Sequence, residues 1–258
     1  MPSVTIRFYE ELNDFLPARS RKSPLVVEYA SGCTAKALIE DIGVPHTEVD
    51  LIIANGISVG FDYRLNDGDT VSVYPMFESW DIGGLSRVRA TPLRETRFAL
   101  DVHLGKLARL LRMVGFDAQY SNMISDEDLA RLARGETRII LSRDRGLLKR
   151  RTVTHGYLVR SDAPRRQLAE VLRRFDLAGS LHMFSRCMEC NLPLARVDKA
   201  DVASQLPEVV ALTYNDFSRC AGCGRVFWRG THWERMKAVA AEVLGLETTE
   251  AIERITNL

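Results

Sequence analysis

Apolar and polar positions alternate with period two along several short segments of residues 1–80, which predicts half-buried β-strands. A segment with helical periodicity at 35–40 interrupts them and follows Thr34, a residue type that commonly caps a helix N-terminus. Asn55-Gly56 is a strong turn signal between two of the strand segments. The predicted strands are 4–9, 25–29, 49–54, 57–59 and 70–74. This order predicts a separate small α/β domain.

The pattern changes beyond this first domain. Residues 81–94 contain glycine, serine and proline and little apolar periodicity, which predicts a linker. Over residues 95–180 short apolar strands alternate with amphipathic helices, and this order predicts a parallel sheet with helices on both faces. Residues 181–258 form a third predicted domain with four cysteines and C-terminal helices. The predicted elements of these two domains are strands 97–100, 116–120, 138–141 and 157–160 and helices 103–115, 129–133, 145–151, 164–175, 233–244 and 249–255.

The chain has 258 residues, of which 46% are apolar and 27% charged, the composition of a globular protein. No apolar run is long enough for a membrane-spanning helix, so we expect no association with a membrane. The N-terminus lacks the basic and apolar segments of a secretory signal, so we expect a cytoplasmic location. Five cysteines in that setting do not indicate a disulfide scaffold.

The net charge of +1 conceals an uneven distribution of charge along the chain. Residues 1–80 carry 6 Lys and Arg against 12 Asp and Glu, whereas residues 97–180 carry 17 against 10. A basic domain is the usual electrostatic signature of a polyanion-binding protein, and a solvated arginine-rich surface is the simpler alternative.

Carboxylates follow the predicted strands of the central domain. Asp101, Asp144 and Asp162 follow the strands at 97–100, 138–141 and 157–160. Asp126 begins the helix that follows the remaining strand, 116–120. Because ligands bind beyond the carboxyl ends of parallel strands, we expect these four acids to lie near one another. Like charges at close range repel, and a Mg²⁺ or Mn²⁺ ion would compensate them, activate water and hold a phosphodiester. Each acid, taken singly, could instead be a turn or helix-cap residue.

Basic residues surround these acids. Lys106, Arg109 and Arg112 share one helix face, while Arg143 and Arg145 flank Asp144. The functional hypothesis is contact with the phosphates of a nucleic acid, and a solvated outer face is the alternative.

Two C-x₂-C pairs mark the third domain. Cys187, Cys190, Cys220 and Cys223 together supply the four thiolates of a tetrahedral zinc site, which would be structural because no position stays open. The alternatives are a redox dithiol and two disulfides. The aromatic and arginine residues at 227–233 suit stacking on unpaired bases, or packing of the ribbon on the central domain.

Several stretches of the chain resemble the Mut-7 C-terminal RNase family. They are Phe98-x-x-Asp101-x-His103-Leu104-Gly105-Lys106-Leu107-Ala108-Arg109, Ser125-Asp126-Glu127-Asp128-Leu129 and Ile139-Ile140-Leu141-Ser142-Arg143-Asp144-Arg145. The resemblance implies a PIN-like nuclease domain with a four-cysteine zinc ribbon. It also implies that Asp101, Asp126 and Asp144 occupy the acidic PIN-like positions, with Asp162 where a fourth acid could stand. Arg143 matches the basic residue beside the third acid.

The first domain resembles ubiquitin and the small sulfur carriers of the β-grasp fold, most clearly over residues 65–75. Some bacterial members of the RNase family carry such an N-terminal domain. Sulfur carriers end in a free Gly-Gly, whereas Gly83-Gly84 lies inside this chain, so the carrier function does not transfer. We expect a role in docking, either to a protein partner or to another domain.

These observations favour a metal-dependent ribonuclease that hydrolyses RNA phosphodiester bonds, with a structural zinc ribbon that aids RNA binding. One alternative is a non-catalytic RNA- or ribosome-binding adaptor, and the less favoured one is a sulfur carrier released by cleavage after Gly84. The intact set of acids favours the enzyme. Because the first domain has its own strand and helix pattern, we expect cleavage of naked RNA not to require it.

Overall fold

The computed structural model describes residues 1–75, 87–88 and 96–245. The chain divides into two compact units: an N-terminal unit of Met1–Glu95 with Ala130–Leu158, and a C-terminal unit of Thr96–Leu129 with Val159–Leu258. The central region therefore contributes segments to both units, and the domain boundaries drawn from the sequence stay predictions. The linker apart from residues 87–88, its Gly83-Gly84 and the predicted helix at 249–255 lie outside the described residues.

The N-terminal unit begins with a five-stranded sheet whose strand order is β2-β1-β5-β3-β4. Its strands are β1 Ser3–Phe8, β2 Leu25–Glu28, β3 Leu51–Ala54, β4 Ile57–Val59 and β5 Thr70–Tyr74. β1 and β5 pair in parallel at the centre, with Thr5 opposite Thr70, and the other pairs are antiparallel. This arrangement confirms the predicted β-grasp domain.

Helix α1, Ala35–Ile42, packs on this sheet and has the ends that the sequence predicts. The Thr34 hydroxyl accepts a hydrogen bond from the Ala37 N–H at 3.3 Å, and Gly43 ends the helix with a left-handed φ of 119°. Leu38 and Ile39 are buried together with apolar residues of the strands. The helix therefore owes its position to one apolar face rather than to intrinsic propensity.

The central region alternates strands and helices as predicted. Its elements are β6 Arg97–Leu100, α2 Gly105–Met113, β7 Asp117–Tyr120, α3 Asp126–Gly135, β8 Ile139–Ser142, α4 Arg145–Leu148, β9 Gly156–Leu158 and α5 Pro164–Arg174. β6 pairs in parallel with β7 in the C-terminal unit, and β8 pairs in parallel with β9 in the N-terminal unit. All of β8 and β9 is buried, as expected for parallel strands covered on both faces.

Within the N-terminal unit, the β-grasp domain contacts the segment that contains α4 and β9. A carboxylate oxygen of Glu48, a fully buried residue, accepts the Leu158 N–H at 2.5 Å. His46 Nε2 lies 2.7 Å from the Val153 carbonyl oxygen, and Lys149 donates to the Glu40 carbonyl at 2.6 Å. Part of the surface of the β-grasp domain is thus buried against another segment of this chain.

The C-terminal unit ends in a three-stranded antiparallel sheet, ordered β10-β11-β12, and a longer helix. Its elements are β10 Leu194–Val197, α6 Lys199–Val202, α7 Glu208–Thr213, β11 Phe217–Cys220, β12 Val226–Trp228 and α8 Thr231–Leu244. The two cysteine pairs flank this sheet, which is the ribbon that the sequence predicts. None of the described helices is both long and apolar enough to cross a membrane.

Candidate functional site

Asp101 lies directly after β6 and is almost fully buried, with 5% of its surface exposed. Its carboxylate accepts a hydrogen bond from the His103 N–H at 2.9 Å and so caps the short turn that leads into α2. A carboxylate offers about four lone-pair positions, and this cap bond occupies one of them. The cap is therefore compatible with coordination of a metal ion by the same side chain.

Asp144 follows β8, with Arg143 between it and the last residue of the strand. Its Oδ1 accepts the Gly146 N–H at 2.7 Å and caps α4, while its own N–H donates to the Ser142 hydroxyl at 2.8 Å. Ser142 is fully buried, so its hydroxyl fixes the backbone of the turn that presents Asp144. Asp144 Oδ2 has no hydrogen-bond partner among the described residues. That oxygen is available to a cation.

Asp126 and Asp162 stand at the starts of helices. Asp126 is the half-buried first residue of α3, where the Ser125 hydroxyl accepts the Asp128 N–H at 3.1 Å and caps the helix. Asp162 is exposed in the turn before α5. Asp101, Asp126 and Asp162 belong to the C-terminal unit and Asp144 to the N-terminal unit. Their grouping around one metal ion stays a prediction.

The basic residues differ in their exposure. Lys106, Arg143 and Arg145 are exposed, and the Arg145 guanidinium lies 5.2 Å from the centre of the Phe15 ring. Arg109 has 57% of its side chain exposed and forms an ion pair with Glu189 at 2.7 Å. These four side chains can reach an anion in solvent.

Arg112 does not share that exposed face, although the helical spacing predicts that it does. It is 5% exposed, and its Nε donates to the Ala118 carbonyl at 2.8 Å. Its Nη1 donates to the carbonyls of Met188 and Glu189 at 3.0 and 2.9 Å. Those carbonyls belong to the first cysteine pair, so Arg112 holds that pair against α2 and β7. Burial argues against the predicted phosphate contact.

Asn191 completes this attachment and was not singled out from the sequence. Its side-chain oxygen accepts the Ala118 N–H at 3.0 Å, and its amide nitrogen donates to Asp117 at 2.7 Å. It adopts a left-handed φ of 63°, a conformation that Asn tolerates better than most residues. Its place one residue after Cys190 is the only signal in the sequence that could have drawn attention to it.

The four cysteines of the ribbon converge on one point. Their sulfur atoms all lie within 4.8 Å of one another, and the Cys187 and Cys223 sulfurs are 3.7 Å apart. Four thiolates bound to a tetrahedral Zn²⁺ at about 2.3 Å would be about 3.8 Å apart. None of the four is joined in a disulfide. The donor set and its spacing therefore fit a closed zinc site.

The thiol pKa values differ across the cluster, and each has an identifiable cause. Hydrogen bonding to the Cys223 sulfur, followed by burial, raises the pKa of Cys190 to about 12. Burial acts to raise the pKa of Cys220, but hydrogen bonds from the backbone N–H groups of Cys223 and Gly222 outweigh it and lower that pKa to about 7. Neighbouring thiolates repel, so they do not all ionise near neutral pH unless a metal ion compensates the charge.

Of the aromatic residues after the second cysteine pair, Trp233 is a packing residue. It is 9% exposed, its indole lies 5.7 Å from the Phe184 ring, and Lys237 Nζ lies 4.3 Å from its centre. Phe227 and Trp228, on β12, are half-buried.

Comparison with known families gives two matches. A family model described as the Mut7-C RNAse domain matches residues 96–240, and one described as Mut7-C ubiquitin matches residues 1–81. No curated protein sequence matches the chain.

Proposed function

Because the chain belongs to the Mut7-C RNase domain family, we propose that it is a metal-dependent ribonuclease that hydrolyses RNA phosphodiester bonds. The observation that carries the proposal is the match over residues 96–240, which includes all four acids placed after strands or at helix starts. The buried carboxylate of Asp101 and the exposed Asp144 Oδ2 supply the hard oxygen donors that Mg²⁺ and Mn²⁺ prefer.

In this proposal Asp101, Asp126 and Asp144 hold the ion, with Asp162 as a fourth acid. When bound, Mg²⁺ or Mn²⁺ would lower the pKa of a water molecule and neutralise charge on the scissile phosphate. The exposed cations Lys106, Arg109, Arg143 and Arg145 would hold the flanking phosphates and set the register of the RNA.

The other parts of the chain have supporting roles. The zinc ribbon, held by its four cysteines, aids RNA binding. The β-grasp domain docks a protein partner through surface that the N-terminal unit leaves exposed, such as Val26 on the edge strand β2. Reduced, metal-binding cysteines suit the cytoplasm, where we place the protein.

A cleavage assay on structured and single-stranded RNAs, with Mg²⁺ or Mn²⁺ added or omitted, tests the proposal. Asp101→Asn and Asp144→Asn should lower the cleavage rate by more than about 100-fold, because even outer-shell partners of metal ligands contribute about 10- to 100-fold. Asn caps helices as well as Asp does, so the fold should survive in Asp144→Asn. RNA affinity should be unchanged or higher, because one negative charge facing the RNA is removed.

Two further variants sharpen this assay. Glu127→Gln removes an exposed charge next to Asp126 and should leave the cleavage rate unchanged. Arg143→Ala should weaken RNA binding and reduce its dependence on salt. Wild-type cleavage by both Asn variants would show that the acids are caps only. RNA binding without cleavage under either ion would identify the chain as an adaptor.

A further inference from the structure

A concave pocket of about 500 Å³ opens on the ribbon, within the C-terminal unit. That volume lies in the usual range of small-molecule pockets, about 300–1,000 Å³. β11, β12, the start of α8 and the first cysteine pair surround it. The lining side chains that matter here are Phe227, Trp228, Trp233, Arg196, Arg225 and Arg229.

The aromatic lining is held in place before any ligand arrives. Trp233 is fixed by its packing on Phe184, with the Arg229 guanidinium 5.4 Å from its ring centre. The indole of Trp228 lies against Gly230, where a Cβ atom would come within 2.9 Å of Nε1. Phe227 and Trp228 nevertheless keep part of their surface exposed to the pocket. Rigid, partly exposed aromatic faces suit stacking with a planar ligand.

The charged lining is predominantly positive. Four arginines line the pocket, Arg109 among them, against the two carboxylates of Glu189 and Asp216. Glu189 already pairs with Arg109 at 2.7 Å and with Arg225 at 3.4 Å. Arg196 and Arg229 are exposed and have no carboxylate within ion-pair distance among the described residues. The excess of positive charge favours an anionic ligand.

We propose that this pocket binds an unpaired base of single-stranded RNA, stacked on Trp228, with the adjacent phosphates on Arg196 and Arg229. A base inside a duplex is covered on both faces and cannot enter a concave pocket, whereas an unpaired base can. Aromatic faces combined with arginines are the usual means of holding single strands. The inference rests on the proposed function only for the choice of RNA as the ligand class, and it gives the ribbon a preference for unpaired segments.

The test measures the dissociation constant of the full, zinc-containing chain for a short fluorescein-labelled RNA, single-stranded or annealed to its complement. Mg²⁺ and Mn²⁺ are omitted so that binding is separated from cleavage. Trp228→Leu should weaken binding of the single strand by about 5- to 150-fold, the loss of one base–aromatic stack, with a much smaller effect on the duplex. Trp228→Phe keeps an aromatic face and should retain most of the wild-type affinity.

Arg196→Ala and Arg229→Ala should each weaken binding. Each should also reduce the slope of log affinity against log salt concentration by the amount expected for about one phosphate contact. Arg219→Ala is the matched control, because Arg219 is an exposed arginine of β11 that does not line the pocket. It should bind single-stranded RNA more tightly than either pocket variant. Zinc content is measured for every variant, and the arginine variants still test the proposal where Trp228→Leu misfolds.

Wild-type affinity of Trp228→Leu and both arginine variants would overturn the inference. Equal losses for single-stranded and duplex RNA would also overturn it, because they would indicate only a phosphate-binding surface. If the pocket variants lose binding while Asp144→Asn still cleaves, the pocket stands and the proposed catalytic site fails. If Asp144→Asn is inactive while the pocket variants bind normally, the proposed catalytic site stands and the pocket proposal fails.

Discussion

At the scale of single residues, the same side-chain types serve opposite roles depending on burial. Arg109 and Arg112 lie three positions apart on α2, but only Arg109 has its guanidinium in solvent. Arg112 donates to one carbonyl of β7 and to two carbonyls of the ribbon, and a buried charge is tolerated when hydrogen bonds compensate it. Its function in the molecule is therefore attachment of the first cysteine pair rather than contact with RNA.

We predict that Arg112→Ala lowers the free energy of unfolding of the C-terminal unit by about 3 kcal/mol, because it leaves the buried Ala118 carbonyl and the part-buried carbonyls of Met188 and Glu189 without their donor. Arg109→Ala, the control on the same helix, removes an exposed ion pair and should change stability by less than about 1 kcal/mol. Urea denaturation of both variants checks this. Unchanged stability with reduced RNA affinity in Arg112→Ala would instead support the phosphate contact.

At the scale of elements, the ribbon is attached to α2 at two points, its first cysteine pair and the segment before it. The carbonyl oxygens of Val114 and Met113 accept the N–H groups of His182 and Phe184 at 3.0 and 3.1 Å. Gly115 ends the helix there with a φ of 102°. The close approach of two backbones at this point leaves no room for a side chain.

Gly115→Ala should therefore destabilise the protein by about 3 kcal/mol or more, since the new Cβ would lie 2.3 Å from the His182 carbonyl oxygen and the left-handed φ disfavours alanine. Gly135→Ala at the end of α3 is the control, because nothing lies within 4 Å of a Cβ there. It should be neutral or slightly stabilising. Thermal unfolding of both variants distinguishes this clash from a general sensitivity to loss of glycine.

The ribbon should also depend on its metal ion. We predict about one tightly bound Zn²⁺ per chain, and Cys220→Ser should release it and loosen β10–β12, because metal binding supplies folding free energy in such sites. Cys33→Ser is the control, since Cys33 lies outside the cysteine cluster. Metal analysis and amide exchange of the ribbon strands provide the readout. Zinc-free protein with a protected ribbon would contradict the assignment.

At the scale of the whole molecule, the β-grasp domain is part of the N-terminal unit rather than an independent appendage. Buried Glu48 and His46 join it to the segment that contains α4 and β9, and α4 begins directly after Asp144. The sequence alone predicts that RNA cleavage does not require the first domain. Because of this contact, we expect instead that cleavage does require it. Its removal would take away the His46 ring that contacts the Val153 carbonyl and the Glu48 carboxylate that accepts the Leu158 N–H.

Glu48→Ala should accordingly lower the stability of the N-terminal unit by about 1–3 kcal/mol, because a buried N–H loses its partner. Glu48→Gln keeps an acceptor oxygen and should be milder, and Glu28→Ala, at an exposed position of β2, should have no measurable effect. Faster amide exchange at Leu158 in Glu48→Ala is the specific signature. A deletion of residues 1–75 that stays folded and cleaves RNA at the wild-type rate would restore the expectation of independence.

Features that depend on local spacing can be read from the order of the amino acids. Period-two and helical patterns predicted the order of the strands and helices over residues 1–180, and Thr34 and Gly43 predicted the ends of α1. The paired C-x₂-C spacing predicted the four cysteines that the structure brings together. The acids at strand ends and helix starts were also visible, because a strand end is a local property. The cleavage assay tests the proposed metal-binding role of Asp101 and Asp144.

The folded chain, and not local spacing, sets which polar groups are buried and what they contact. The partners of Arg112 in the first cysteine pair lie 76 and 77 positions away, and Glu48 meets Leu158 across 110 positions. Such contacts leave no periodic signal, because they depend on where two packed elements meet rather than on the spacing within either. For the same reason the pocket around Trp228 combines residues that the sequence shows only as separate aromatics and arginines.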